Sequence, residues 1–163
     1  MHTLLAPANR KKTVENSVAF GNTVVSVLLD GEDTAGQFSM MEIVGRPGTE
    51  PPYHMHQNED ETFYILEGRI SFMVDGVVYD LVAGDTMFLP RNVPHTFRVR
   101  SEHARGILTV TPSGFDGYFR AIGRPVDSLD TPKPAPPPPD IHERMAKISA
   151  QFGVRMMDQQ PEF

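Results

Sequence analysis

The chain has 163 residues, 39% of them hydrophobic, a formal charge of −6 and no cysteine. One core is expected, since about 100–200 residues usually make a domain, and the acidic balance argues against nucleic acid or an anionic membrane as partner, because both select basic surfaces. Without cysteine there is no disulfide framework, thiolate metal site or cysteine nucleophile, so a metal has to be held by nitrogen and oxygen.

At the start, MHTLLAPANRKK places a short apolar patch ahead of its basic residues, the reverse of a secretory signal, and no long apolar run follows. A soluble, cytoplasmic protein is expected. Residues 1–19 read as an N-terminal arm. From 20 to 112, short segments rich in β-branched and aromatic residues alternate with Gly, Pro, Asn and Asp, the pattern of an antiparallel sandwich or barrel. Strands are expected at 22–29, 37–44, 62–66, 69–74, 77–81, 86–89, 95–99 and 106–111. Asp75-Gly76 between SFMV and VVYD suits a two-residue hairpin turn, whose positive φ angles favour that pair. Residues 113–163 form a C-terminal extension of different character. GFDGYFRAIG reads as a short helix, and the proline-rich segment 131–140 as an extended spacer. An amphipathic helix follows over 140–153, with Asp140 and Glu143 as a capping box and Gly153 as the stop. Its apolar stripe, Ile141, Met145, Ile148 and Phe152, is expected to pack on the barrel or on a partner subunit rather than to serve as a lid.

The chemistry concentrates in HMHQNEDE. A strand sends residues i and i+2 to one face, so His54 and His56 point together. Alone, such a pair is weak evidence, because polar strand faces carry histidines for many reasons. Glu61, however, begins the next strand after a short turn, and His95 follows a second glycine-led segment, GDTMFLPRNVPHTFRV. Three imidazoles and one carboxylate can then converge from neighbouring strands on one divalent nickel, iron, manganese, cobalt, copper or zinc ion, leaving room for water or substrate. Glu59 and Asp60 read as solvated turn residues, and Glu42 as an exposed or ion-paired strand residue. His2, His103 and His142 have no ligand-like neighbours.

The two segments resemble the paired motifs of the cupin superfamily: glycine, five residues, H-x-H, three or four residues, Glu, six residues, Gly; then glycine, five residues, P-x-G, two residues, His, three residues, Asn. The first matches at Gly48, His54, His56, Glu61 and Gly68. The second matches at Gly84, Pro90 and His95, with Asn92 in the place of the second glycine and Val99 in the place of Asn. Asn tolerates the left-handed conformation that a turn glycine supplies. The resemblance implies an all-β, antiparallel jelly-roll barrel over 20–112 with a C-terminal helical extension. It further implies a metal held by His54, His56, Glu61 and His95, and a homodimer in which residues 13–29 supply a strand to the neighbour.

PPYHMHQNEDETFYILEGR, PRNVPHTFRV and TPSGFDGYFRAIGRP are further similar to quercetinase-type flavonol 2,3-dioxygenases. That resemblance implies a small apolar or aromatic enol substrate, dioxygen as co-substrate, and Glu61 as both ligand and base. A buried carboxylate flanked by aromatics is expected to gain basicity. Met40, Phe63 and Phe97 are the expected pocket residues, the two phenylalanines serving core packing first. The alternatives are a metal-dependent isomerase or cyclase of a sugar or polyketide-like molecule, and a non-catalytic small-molecule binder.

Overall fold

The computed structural model describes residues 6–48, 50–130 and 139–163, apart from the side chain of residue 142. His2 and most of the expected proline-rich spacer, residues 131–138, lie outside the described residues. The elements in chain order are β1 (Ser17–Phe20), β2 (Thr23–Leu29), α1 (Gly31–Thr34), β3 (Ser39–Gly45), β4 (His54–His56), β5 (Asp60–Glu67), β6 (Arg69–Val74) and β7 (Val77–Val82). Then come β8 (Thr86–Leu89), β9 (His95–Val99), β10 (Ala104–Thr111), α2 (Asp116–Ile122), β11 (Arg124–Pro125), α3 (Ile141–Gln151) and β12 (Val154–Met156).

Two antiparallel sheets face each other, one in the order β11-β1-β2-β3-β10-β5-β8 and the other β12-β4-β9-β6-β7. This is the expected jelly-roll barrel. Period-two burial explains it: along β10 the residues Ala104, Gly106, Leu108 and Val110 are buried and their neighbours are not. The inward set, including Val25, Met41, Ile65, Phe72, Leu108 and Val110, is essentially sealed from water. Among these, Phe72 meets Phe63 and Phe97 in a three-ring cluster across the two sheets. The Asp75-Gly76 turn forms as expected, with φ of 46° and 81°, and aligns Val74 with Val77.

Several elements depart from expectation. The single strand expected at 22–29 is the second half of a hairpin, because Gly21 adopts a φ of 58° and turns β1 back onto β2. In the described chain, β1 is flanked by its own β2 and β11. The Asp140/Glu143 capping box does not form. Asp140 sits at the N-cap with φ −92° and ψ 6°, away from the extended geometry that aims a cap side chain, and makes no such bond. A capping box instead closes the unexpected α1, between Asp30 and Asp33. A further strand that no sequence pattern announces follows α3: β12 pairs with β4, Val154 opposite His56 and Met156 opposite His54. The α3 stripe packs on the barrel, with Met145, Ile148 and Phe152 against the core.

Gly68, which ends the first motif, turns β5 into β6 with a φ of 84°. A Cβ there would strike the His103 carbonyl oxygen and lie 2.9 Å from the Ala104 Cα, both backbone atoms. Gly68→Ala is therefore expected to lower unfolding free energy by about 1–3 kcal/mol, read from the midpoint of chemical denaturation at constant m-value. An unshifted midpoint contradicts this.

Candidate metal centre

β4 lies between β12 and β9, and its register with β9 is set at a single point, His54 opposite His95. His54 and His56 share the inward face, so three imidazoles from two adjacent strands meet inside the barrel. One ring nitrogen from each lies within 4.8 Å of the others, and all three residues are buried. The His54 and His56 Nε2 atoms are 3.2 Å apart. Glu61, on β5 of the opposite sheet, completes the cluster, its Oε2 at 3.0 Å from His95 Nε2 and 3.5 Å from His56 Nε2.

The rings are oriented from behind. His54 Nδ1 lies 2.7 Å from the Pro52 carbonyl oxygen and His95 Nδ1 2.9 Å from that of Val93. A proton on Nδ1 donated to those oxygens leaves each Nε2 lone pair pointing inward, the tautomer that a metal ligand needs. The turn before β9 is clamped to the site: Asn92, in the left-handed region at φ 63°, donates its backbone N–H to the His56 carbonyl at 2.7 Å. Arg91 holds Asp60 through two side-chain bonds of 3.1 and 2.7 Å. Asp60 is thus an ion-pair partner and not a merely solvated residue. Glu59 departs further from expectation, being 6% exposed with its Oε2 3.7 Å from His56 Nδ1.

Does this donor set fit a cation? His95 Nε2 is enclosed, with the Glu61 carboxylate as its near polar neighbour at 3.0 Å. Three ring nitrogens and a carboxylate oxygen that converge inside the barrel, two of the nitrogens 3.2 Å apart, suit a divalent transition metal. Bare, they leave polar atoms unsatisfied.

The electrostatics follow from crowding. Burial, with repulsion from His95 and His56, lowers the His54 pKa to about 3. Burial works against the charged form of Glu61 too, but the three imidazoles outweigh it and bring its pKa to about 2. The expected gain in basicity is therefore absent: the neighbours of this carboxylate that matter are imidazoles, not aromatic rings. For His56, burial opposes the charged form, yet Glu61 and Glu59 outweigh it and raise the pKa.

Above the cluster is a cavity of about 80 Å³. Phe63 and Phe97 line it while also belonging to the ring cluster, so both expected uses coincide. Met40 does not line it. The alternation of β3 sends the neighbouring Met41 and Ile43 inward, opposite Leu108 and Gly106, and leaves Met40 on the outer side opposite Thr109. Glu42, also on that side, pairs with Lys12 at 2.6 Å. The extension supplies further wall, from Phe115, Tyr118, Phe119, Met145, Val154 and Met156. Phe115 packs against His56 with ring centroids 4.4 Å apart. Its signal was the aromatic spacing of GFDGYF, where Phe115, Tyr118 and Phe119 fall on one helical face.

Residues 41–111 match the family model described as the cupin domain. The chain is 27% identical over 140 residues to a quercetin 2,3-dioxygenase of Bacillus subtilis, a match covering 86% of this chain and 41% of that protein. It is 34% identical over 68 residues to the polyketide synthase CurC of Streptomyces cyaneus, covering 41% of this chain and 44% of the other. The chain thus spans less than half the length of these curated relatives. Among solved structures, ectoine synthase from P. lautus superposes with a TM-score of 0.58 at 19% identity, covering 94% of this chain and 93% of that one. At that identity the likeness concerns the fold. No helix among the described residues is long and apolar enough to cross a membrane.

Because the folded His54 takes up a proton only near pH 3, against 6.5 for an ordinary imidazole, the unfolded chain protonates first. Its contribution to stability falls as pH drops from 6.5 to 3. In chelator-treated protein, His54→Asn should therefore gain stability relative to wild type over that interval, measured as the difference in Tm at pH 7, 5.5 and 4. A difference independent of pH contradicts the assignment.

Proposed function

Taking the chain as a cupin that resembles quercetinases, we propose that it is a metal-dependent dioxygenase of a small aromatic or enol substrate. The metal is held by His54, His56, His95 and Glu61. The observation that carries this is the placement of Glu61, a buried carboxylate against two imidazoles at the floor of a cavity whose other walls are largely apolar. A bound divalent ion supplies Lewis acidity toward an enol oxygen and a path for electrons to dioxygen.

This chain's residues do the rest. Phe63, Phe97, Leu108 and the aromatics of α2 present apolar surface to a flat substrate and exclude water. Glu61, ionised at neutral pH, accepts the enol proton at Oε2, the oxygen nearest the imidazoles. Its low intrinsic basicity suits it to an acidified enol rather than to an unactivated C–H bond. A sugar-like substrate finds few partners in this cavity. Besides the quartet, Thr23 and Tyr118 are its hydroxyl-bearing lining residues. For that reason the dioxygenase reading stands ahead of an isomerase or cyclase.

Two variants separate the roles. His56→Ala is expected to lose stoichiometric tight metal, measured by elemental analysis after dialysis. Glu61→Gln, once reconstituted to full metal content, is expected to lose about 100-fold or more of oxygen uptake with a panel of enols that includes a flavonol. Undiminished uptake in Glu61→Gln removes the base role. Metal-loaded wild-type protein that consumes no oxygen with any enol removes the dioxygenase reading and favours a non-oxidative reaction or simple binding.

A further inference from the structure

Glu59 is a buried carboxylate that the proposed reaction does not use. It belongs to the turn between β4 and β5, a place where a glutamate normally faces water, yet it is 6% exposed and its Oε2 makes no hydrogen bond. The end of the extension helps to enclose the turn. Gln57 donates its backbone N–H to the Gly153 carbonyl at 2.9 Å, and the Asn58 side chain reaches the Phe152 carbonyl at 3.4 Å. Arg91, the nearby cation, is engaged by Asp60 and by the Thr111 carbonyl. What Glu59 faces is His56 Nδ1, at 3.7 Å, itself enclosed and without a hydrogen bond.

The three imidazoles are therefore not equivalent. His54 and His95 each set Nδ1 against a neutral backbone carbonyl, whereas His56 sets it against a carboxylate. A carbonyl acceptor fixes the tautomer; a carboxylate fixes it and also pushes electron density through the ring to Nε2. There is a charge argument as well. A divalent cation in a water-excluded barrel needs compensating negative charge, and Glu61 and Glu59, one on each side of His56, supply two.

His56 Nε2 also lies 3.2 Å from His54 Nε2, a contact that competes for the ring proton. We infer that Glu59 is a positioning residue that draws the His56 proton to Nδ1, turns Nε2 to the centre as a lone pair and makes His56 the strongest nitrogen donor of the three. This rests on the reading that His56 is a metal ligand. Removing such a partner of a ligating histidine characteristically weakens metal affinity by about 10–100-fold.

Two readouts test it on the full-length protein. The first is the dissociation constant for cobalt(II), measured by chelator competition on wild type, Glu59→Gln and Glu59→Ala. Glu59→Gln keeps the size and an acceptor oxygen but not the charge. It should weaken cobalt binding about 10-fold, and Glu59→Ala should weaken it further. The second is the imidazole ¹⁵N signature of metal-free protein at pH 8.5. Wild type and Glu59→Gln should show His56 protonated on Nδ1, while Glu59→Ala should show a mixture of tautomers confined to His56, with His54 and His95 unchanged. Cobalt affinity within about twofold of wild type in Glu59→Ala, or an unchanged His56 tautomer, overturns the proposal. If wild-type protein takes up no cobalt, the metal reading itself fails, and the tautomer measurement alone decides the role of Glu59. Should Glu59→Ala not fold, the near-isosteric Glu59→Gln and a Glu59→Leu variant carry the same comparison.

Discussion

The centre depends on the pairing of β4 with its two neighbours. This strand is three residues long, and alone it could not hold two imidazoles at a fixed separation. On one side β9 brings His95 opposite His54; on the other β12 covers the edge with Val154 and Met156. A slip of one residue between β4 and β9 would turn a histidine out of the barrel, because side chains alternate between faces, and a slip of β12 would turn Val154 and Met156 out. Register here is therefore chemistry. The Asn92 clamp on the His56 carbonyl and the turn glycines are the means by which the chain enforces it.

Around that strand the protein concentrates charge where charge is costly. Three histidines and two carboxylates share a region closed to water, and the conflict is visible as imidazoles displaced from their ordinary range and ring nitrogens without hydrogen bonds. Native interiors satisfy nearly all buried polar atoms. A cluster left unsatisfied at the base of an otherwise apolar cavity is arranged for something it binds. The backbone carbonyls of Pro52 and Val93 commit two rings to one tautomer in advance, so little reorganisation is left for binding.

Much of this was legible in the sequence. The spacing from Gly48 to Gly68, the position of His95 and the Asp75-Gly76 turn report local geometry, and each is realised. Phe63 and Phe97 were legible because strand alternation tied them to Glu61 and His95. Met40 was not: the adjacent pair Met40-Met41 offers no clue to which methionine faces inward, and only the pairing of β3 with β10 decides it. Glu59 reads as a solvated turn residue because its turn is tied down by the distant Phe152 and Gly153 carbonyls, which hold its neighbours Asn58 and Gln57. β12 was hidden for the same reason. Three residues carry no periodicity, and their strand identity exists only against β4. Glu59 and β12 were missed where the extension meets the barrel, and Met40 where two barrel strands pair.

Convergence of His54, His56, His95 and Glu61 on one cation can be measured. X-ray absorption on cobalt-loaded protein, compared with the His54→Ala/His95→Ala double variant, addresses it most directly. One cobalt per chain with imidazole nitrogens in its first coordination shell is expected, with loss of that signature in the variant. Cobalt bound equally well by the variant, or a first shell without imidazole scattering, would contradict it.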